Sequence, residues 1–298
     1  MNNLIDVALL NSTFRMVAPI LLAALGGLLC TRVLIFNIVL EGTMLLGALA
    51  AVVASYFLGS SLAGVLAAAL VGMLFSLLLG LFVVTLKGDA IVVGIAMNMF
   101  ASGFSTFMLR TIFGVKGAFS DPKIVGMAHN ELPIIKNIPI LGDIFSGQSW
   151  IVYFSWIMVL VVYYFLFRTV TGLRMRGVGQ NDEAAATLGI KVKQVRYLAL
   201  ALCGVLVGIA GAQLSLGQVT LYVENMSAGR GWIAVVAVML GNAHPFGVFF
   251  ACLLFGFADA LGYRLQGSSL PYQFAQVIPY TVTLIAIFIN EGRKKKRT

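Results

Sequence analysis

Long uncharged runs alternate with short polar islands along this chain, and the lengths of the runs set the reading. Gly42–Leu86 holds 45 residues without a formal charge, Ile144–Phe167 holds 24 and Tyr197–Val223 holds 27. A helix needs about 20 apolar residues to cross about 30 Å of hydrocarbon. Each run is therefore long enough for one crossing, and the first is long enough for two. Breaks at glycine, proline and serine divide the chain into about nine expected spans, within a range of eight to ten. They are Met16–Cys30, Val39–Leu58, Leu62–Leu86, Ala90–Phe113, Trp150–Phe167, Val195–Gly217, Gly231–Asn242, Phe246–Tyr263 and Pro271–Ile289. The seventh is the weak member, since twelve residues rise only about 18 Å as a helix. It is kept as a crossing, as a broken helix completed by irregular backbone that neighbouring protein shields. The predicted fold is all-α: one polytopic transmembrane bundle over residues 1–298. The Pro-containing stretch 114–149 is expected to form an external loop or cap.

Composition agrees. Hydrophobic residues make up 60% of the chain and charged ones 10%, against about 25% charged in a soluble domain. The start lacks the succession of basic, apolar and small residues that marks a cleaved signal peptide, so insertion is expected to rely on the first span. The net charge is +9, and the positive-inside rule accounts for it. With the Thr169–Lys193 loop in the cytoplasm, 13 basic residues lie inside and 7 outside; the reverse orientation inverts that ratio. The basic tail 291–298 is then cytoplasmic, set to hold the last helix against anionic lipid, and no nucleic-acid partner is needed. The expected location is a membrane.

Candidate catalytic chemistry is sparse. The chain has no Gly-x-x-x-x-Gly-Lys-Ser/Thr loop to cradle nucleotide phosphates. Its two histidines, His129 and His244, lie far apart, and Cys30, Cys203 and Cys252 form neither ligand spacing nor a disulfide framework. No metal site and no enzyme activity are expected. Glu41, Asp89 and Asp259 are read at or near span ends, so no span carries a clear central carboxylate of the kind ion-coupled carriers need.

Four stretches resemble the permease subunits of ATP-binding-cassette importers, in the group that includes branched-chain amino acid, ribose and purine nucleoside permeases. They are Phe36-Asn-Ile-Val-Leu-Glu-Gly-Thr-Met-Leu-Leu-Gly-Ala48, Lys87-Gly-Asp-Ala-Ile-Val-Val-Gly-Ile-Ala-Met-Asn98, Gly172–Ile190, and the segment from Met226 to Gly247. One departure is Val39, where the group usually has glycine. Within the group, Met226–Gly231 and Leu270–Tyr280 are most similar to the nucleoside branch, with ribose- or galactose-type sugars as the near alternative. The resemblance implies a type II importer-like bundle that forms its path with a second permease, itself or a sister chain. It also implies cytoplasmic ATPase subunits that consume the ATP, an external solute-binding lipoprotein, the plasma membrane of a bacterium as the location, and no cofactor on this chain. The alternative from another class is a stand-alone ion-coupled secondary transporter.

The resemblance marks residues 169–193 as the coupling loop that docks on the ATPase. Gly172, Gly177 and Gly179 would allow tight turns there. Asp182 and Glu183 would open an alanine-rich helix where its dipole favours negative charge, and Gly189 would end it. The candidate coupling residues are Arg174, Arg176, Gly179, Gln180, Asn181, Glu183, Ala184 and Gly189. Candidates for the path are Asn37, Glu41, Asn98, Phe100, Gln213, Arg230, Trp232 and Asn242. Each has a plainer reading. Asn37 and Glu41 fit a helix start, and Asn98, Gln213 and Asn242 fit interhelical hydrogen bonds. Arg230 fits an outer surface ion pair with Glu224 or a headgroup anchor, and the aromatics fit packing.

Overall fold

A computed structural model of the chain describes residues 7–130 and 147–266. The expected ninth span, the basic tail and part of the 114–149 stretch lie outside the described residues. Ten α-helices follow one another among them: α1 Val7–Thr31, α2 Leu40–Leu58, α3 Ser61–Gly80, α4 Ala90–Phe113, α5 Trp150–Arg168, α6 Val170–Gln180, α7 Asp182–Thr187, α8 Val192–Ala212, α9 Arg230–Leu240 and α10 Pro245–Gln266. α3 and α8 each run on as a π-helical turn, at Leu81–Thr85 and Gln213–Gln218. Four two-residue strands make two antiparallel ribbons. β1 (Ala118–Phe119) pairs with β4 (Tyr222–Val223), and β2 (His129–Asn130) pairs with β3 (Gln148–Ser149).

Seven helices among the described residues are long and apolar enough to cross a bilayer: α1, α2, α3 with its π turn, α4, α5, α8 with its π turn, and α10. They coincide with the expected spans one to six and eight. α1 begins at Val7, nine residues before the expected Met16, because Val7–Arg15 continues the helix as one unbroken element. The expected seventh span is α9, with 11 residues, too short by itself to cross.

The bundle is built around α1 and α8. α8 packs on α1, α2 and α3, and α1 packs on α9 and α10 as well. Lipid supplies no hydrophobic drive between helices, so close backbone approach has to hold them together. Gly204-Val-Leu-Val-Gly208 on α8 faces Gly72 and Ala68 on α3, and a Cβ at Gly72, Gly204 or Gly208 would overlap the opposing backbone. α4 and α5, by contrast, leave long apolar faces outside the bundle, including Ile95, Met99, Ile157 and Leu160.

The two ends of the bundle are distinguished by contacts. The Thr85 and Tyr197 hydroxyls are 2.7 Å apart, so the α3–α4 turn lies at the same end as α6, α7 and the start of α8. Arg32, just after α1, donates from Nε and Nη2 to the Ala243 carbonyl at 2.9 and 2.6 Å, which puts the α9–α10 turn at that end too. β1 follows α4 and β4 follows α8, so their ribbon marks the opposite end.

Candidate functional site

The chain leaves β4 at one end of the bundle but does not begin α9 there. Asn225 accepts from the Ser102 hydroxyl at 2.8 Å, and Ser102 is the thirteenth residue of the 24-residue α4. Residues 224–229 thus re-enter the bundle in irregular conformation, with Asn225, Ala228 and Gly229 at positive φ (56°, 47° and 82°). α9 starts at Arg230, partway through the bundle, and carries the chain about 16 Å to the α6–α7 end. The seventh crossing is therefore half loop and half helix.

A helix that starts inside a bundle exposes amide donors that must be satisfied. Glu41 does this from the first turn of α2. Its two carboxylate oxygens accept the backbone N–H groups of Gly229 at 2.8 Å and Gly231 at 2.7 Å. Gly231 must be glycine because a Cβ there would overlap the Glu41 backbone. The start of α2 is served in turn by α4: the Asn98 oxygen accepts from Gly42 N–H at 2.8 Å, and its amide nitrogen donates to the Ile38 carbonyl at 3.0 Å. Asn37 holds the preceding bend, accepting from Val39 N–H at 2.9 Å and donating to the Cys203 and Cys30 sulfurs at 3.3 and 3.6 Å. Asn37 and Glu41 therefore do not cap α2 with their side chains. One braces the bend and the other caps a helix some 190 residues away.

Arg230 corrects the expectation of an outer surface pair with Glu224. Its side chain is 8% exposed, and its Nη2 donates to Asp259 Oδ2 at 3.4 Å and to the Tyr263 hydroxyl at 3.1 Å. Its Nη1 lies 3.4 Å from the Met226 and Ser227 carbonyls. Glu224 accepts instead from Gly117 N–H. Asp259 is likewise not a span-end residue: it is the fifteenth of the 22 residues of α10. The mid-bundle start of α9 is what brings the two together.

Beside this network a cavity of about 450 Å³ opens between the end of α1, the bend before α2 and α9. Thr31, Phe36, Asn37, Val235, Met239 and Asn242 are among the residues that line it. Asn242, at φ 50°, sits in the α9–α10 turn. Asn37, Glu41, Asn98, Arg230 and Asn242 are thus gathered around the start of α2. Trp232 is exposed on α9. Two path candidates lie apart. Phe100 stacks on Phe75 and Phe104 along the outer face of α4. Gln213 is fully buried in the π turn of α8, accepting from the Ser149 hydroxyl at 2.7 Å.

At the α6–α7 end the polar island is two short helices joined at the extended Asn181. Thr169 is extended and its hydroxyl oxygen accepts from Gly172 N–H, opening α6. The Asn181 side chain accepts from Ala184 N–H at 2.9 Å, opening α7. Asp182 and Glu183 occupy the first turn of α7, and Asp182 pairs with Arg196 at 2.9 Å. Gly172, Gly177 and Gly179 lie within α6 rather than at turns; Gly172 and Gly179 allow close contact with the α5 and Arg32 backbones. Gly189, at φ 79°, ends the element. Arg174, Gln180, Glu183 and Ala184 face outward, and Arg176 folds back on Phe167. Sequence reasoning missed Leu173 and Leu188, apolar side chains 59% and 81% exposed on this polar element. A leucine at the tip of a charged loop is the signal that could have found them.

Long apolar helices, a re-entrant half-helix and a protruding polar helix pair together define a multi-pass membrane transport protein. Residues 9–287 match the family described as branched-chain amino acid transport system / permease component, and the chain belongs to that family. It is 32% identical to the guanosine ABC transporter permease protein NupQ of Bacillus subtilis, over 95% of this chain and 91% of that one. It is 33% identical to the nucleoside ABC transporter permease protein NupC of Lactococcus lactis, over 92% and 89%. The ribose import permease protein RbsC of Escherichia coli is 30% identical over 47% of this chain and 45% of its own. Among solved structures, a metal-chelate type ABC transporter in an inward-facing conformation superposes with a TM-score of 0.55 at 14% identity, over 95% of this chain and 86% of that one. PsaBC from Streptococcus pneumoniae in complex with Fab superposes at 0.54 and 18% identity, over 96% and 92%. At such identities the likeness shows the fold alone.

Proposed function

We propose that this chain is the permease of an ATP-driven importer for purine nucleosides. One observation carries the substrate class: two relatives that match nine tenths of the chain are permeases named for guanosine and for nucleosides. The cavity of about 450 Å³ supports it, with the exposed amide of Asn242 to hydrogen-bond a base or ribose and Phe36 to stack on it. A sugar is the second reading: a relative named as a glucose permease is 34% identical over 88% of the chain, while the ribose permease matches only about half of it.

In this reading α6 and α7 lie in the cytoplasm, as the charge asymmetry favours, and Leu173 and Leu188 seat in an apolar groove of an ATPase subunit. Arg174, Gln180 and Glu183 contact its polar rim. A second permease, the same chain or a sister, completes the path, and an external solute-binding lipoprotein delivers solute at the β1–β4 end. ATP binding brings the ATPases together and moves α6 and α7. α9, hinged at the Glu41 cap, transmits that movement to the cavity, biasing the two permeases between outward and inward openings.

Uptake of labelled guanosine in cells expressing this chain with its partner subunits tests the reading. Excess adenosine should compete and ribose should not. Competition by ribose alone would overturn the substrate class. Uptake driven by an ion gradient without ATPase subunits would overturn the importer.

A further inference from the structure

Two arginines meet at the α6–α7 end with no counter-ion among the described residues. The guanidinium carbons of Arg32 and Arg176 stand 5.8 and 5.0 Å from the centre of the same Phe167 ring. Arg32 commits Nε and Nη2 to one carbonyl, Ala243. Arg176 has its Nε buried with no hydrogen-bond partner. The two ion pairs among the described residues, Arg196–Asp182 and Arg230–Asp259, involve neither. Burial and the neighbouring Arg176 charge both push the Arg32 pKa down, as expected of like charges held together. Gly179 of α6 packs directly on the Arg32 backbone, which holds α6 against the end of α1. Placing two cations this way costs free energy unless an anion joins them.

The surroundings say which anion. Phe167 closes an aromatic cluster with Tyr163, His244 and Phe246, where α5 meets α10. From the Tyr163–Phe246 contact, two exposed apolar stripes lead away toward the other end: Ile157 and Leu160 on α5, Phe250 and Leu254 on α10. The site therefore has a doubly cationic head at the edge of the apolar zone and an exposed apolar track below it. We propose that Arg32 and Arg176 bind the phosphate of one anionic phospholipid of the inner leaflet, with its chains along the α5–α10 seam. Guanidinium groups donate to phosphate through charge-assisted bonds. A zwitterionic lipid brings its own ammonium to a site already carrying two positive charges and is disfavoured. The bound lipid would tie together the end of α1, the coupling helix α6 and the α9–α10 turn. The leaflet assignment rests on the orientation proposed above.

The test uses the assembled transporter in nanodiscs of phosphatidylcholine with or without phosphatidylglycerol. Melting temperature and lipid retained after delipidation, read by native mass spectrometry, are the measurements. The wild type should retain phosphatidylglycerol and melt higher in its presence. The double variant Arg32→Gln/Arg176→Gln should lose both effects, melting at the same temperature with and without phosphatidylglycerol, and Arg176→Gln alone, which keeps the Arg32 bonds to Ala243, should lose most of both. Lys87→Gln, which removes an exposed cation of the α3–α4 turn at the same end, should keep both. The proposal is overturned if the double variant retains the lipid and the shift. It is also overturned if inorganic phosphate reproduces the shift, which makes the ligand a soluble anion, or if the double variant sheds ATPase subunits in both lipid mixtures, which makes the pair a protein contact. No readout involves solute, so failed guanosine uptake leaves the test standing. Labelling of Arg176→Cys by an impermeant thiol reagent from outside the cell would instead sink the orientation.

Discussion

Replacing Glu41 by glutamine probes the half-helix directly. The Glu41 carboxylate holds two N–H groups at the start of α9, at 2.8 and 2.7 Å. Hydrogen bonds to a charged group are worth about 1.5–3 kcal/mol each, and a negative charge at a partly buried helix N-terminus adds up to about 2 kcal/mol. Glutamine keeps one oxygen and turns an amide NH₂ toward the other N–H. One bond and the charge are lost, for a net cost of about 2–4 kcal/mol once the side chain relaxes. If the capped arrangement is one of the two transport states, a shift of about 3 kcal/mol alters their ratio by roughly 100-fold. The assay is initial guanosine uptake into proteoliposomes containing the assembled transporter, at matched incorporation. Glu41→Gln should slow uptake by about tenfold or more, and Glu41→Asp, shorter by one methylene, should fall between. Glu224→Gln is the control, because Glu224 also accepts a backbone N–H, from Gly117, at the opposite end, and it should transport at close to the wild-type rate. Wild-type uptake by Glu41→Gln, with α9 shown to be in place by cross-linking, would refute the reasoning.

Asp259→Asn should destabilise the protein by about 3–5 kcal/mol, since it leaves the buried Arg230 unpaired, whereas the double change Arg230→Met/Asp259→Leu should restore much of the thermal stability; melting curves in detergent decide this. Gly208→Leu should abolish accumulation of folded protein, because its side chain has no room against α3; size-exclusion profiles of a fluorescent fusion report it. Leu188→Asp and Glu183→Lys should weaken recovery of the ATPase with the tagged permease and lower uptake in proportion. Unchanged co-purification would remove α7 from the coupling interface. Asn98→Leu should leave Gly42 N–H and the Ile38 carbonyl without their partner and lower stability by about 1–3 kcal/mol, measured by the same melting curves.

What the amino-acid sequence determined by itself is local. Run length places the long helices, because covering the hydrocarbon is a property of some 20 consecutive residues. Charge asymmetry between loops favours one orientation for the same reason. Asp182 and Glu183 announce the start of α7 because a dipole acts within one turn, and Gly241–Gly247 announces a break because asparagine, proline and glycine interrupt a helix wherever they fall. The tertiary structure alone decided the partnerships across the bundle. Glu41 looks like the opening of its own helix, yet it serves the amides of α9. Arg230 and Asp259, 29 residues apart, look like two span-end charges and are instead one buried pair. Arg32 and Arg176 gain a shared ring only when α6 folds back over the end of α1. In the first two cases the cause is depth. Residues 224–229 re-enter the bundle before α9 begins, and how far a loop sinks is set by the helices that receive it, not by the composition of the loop.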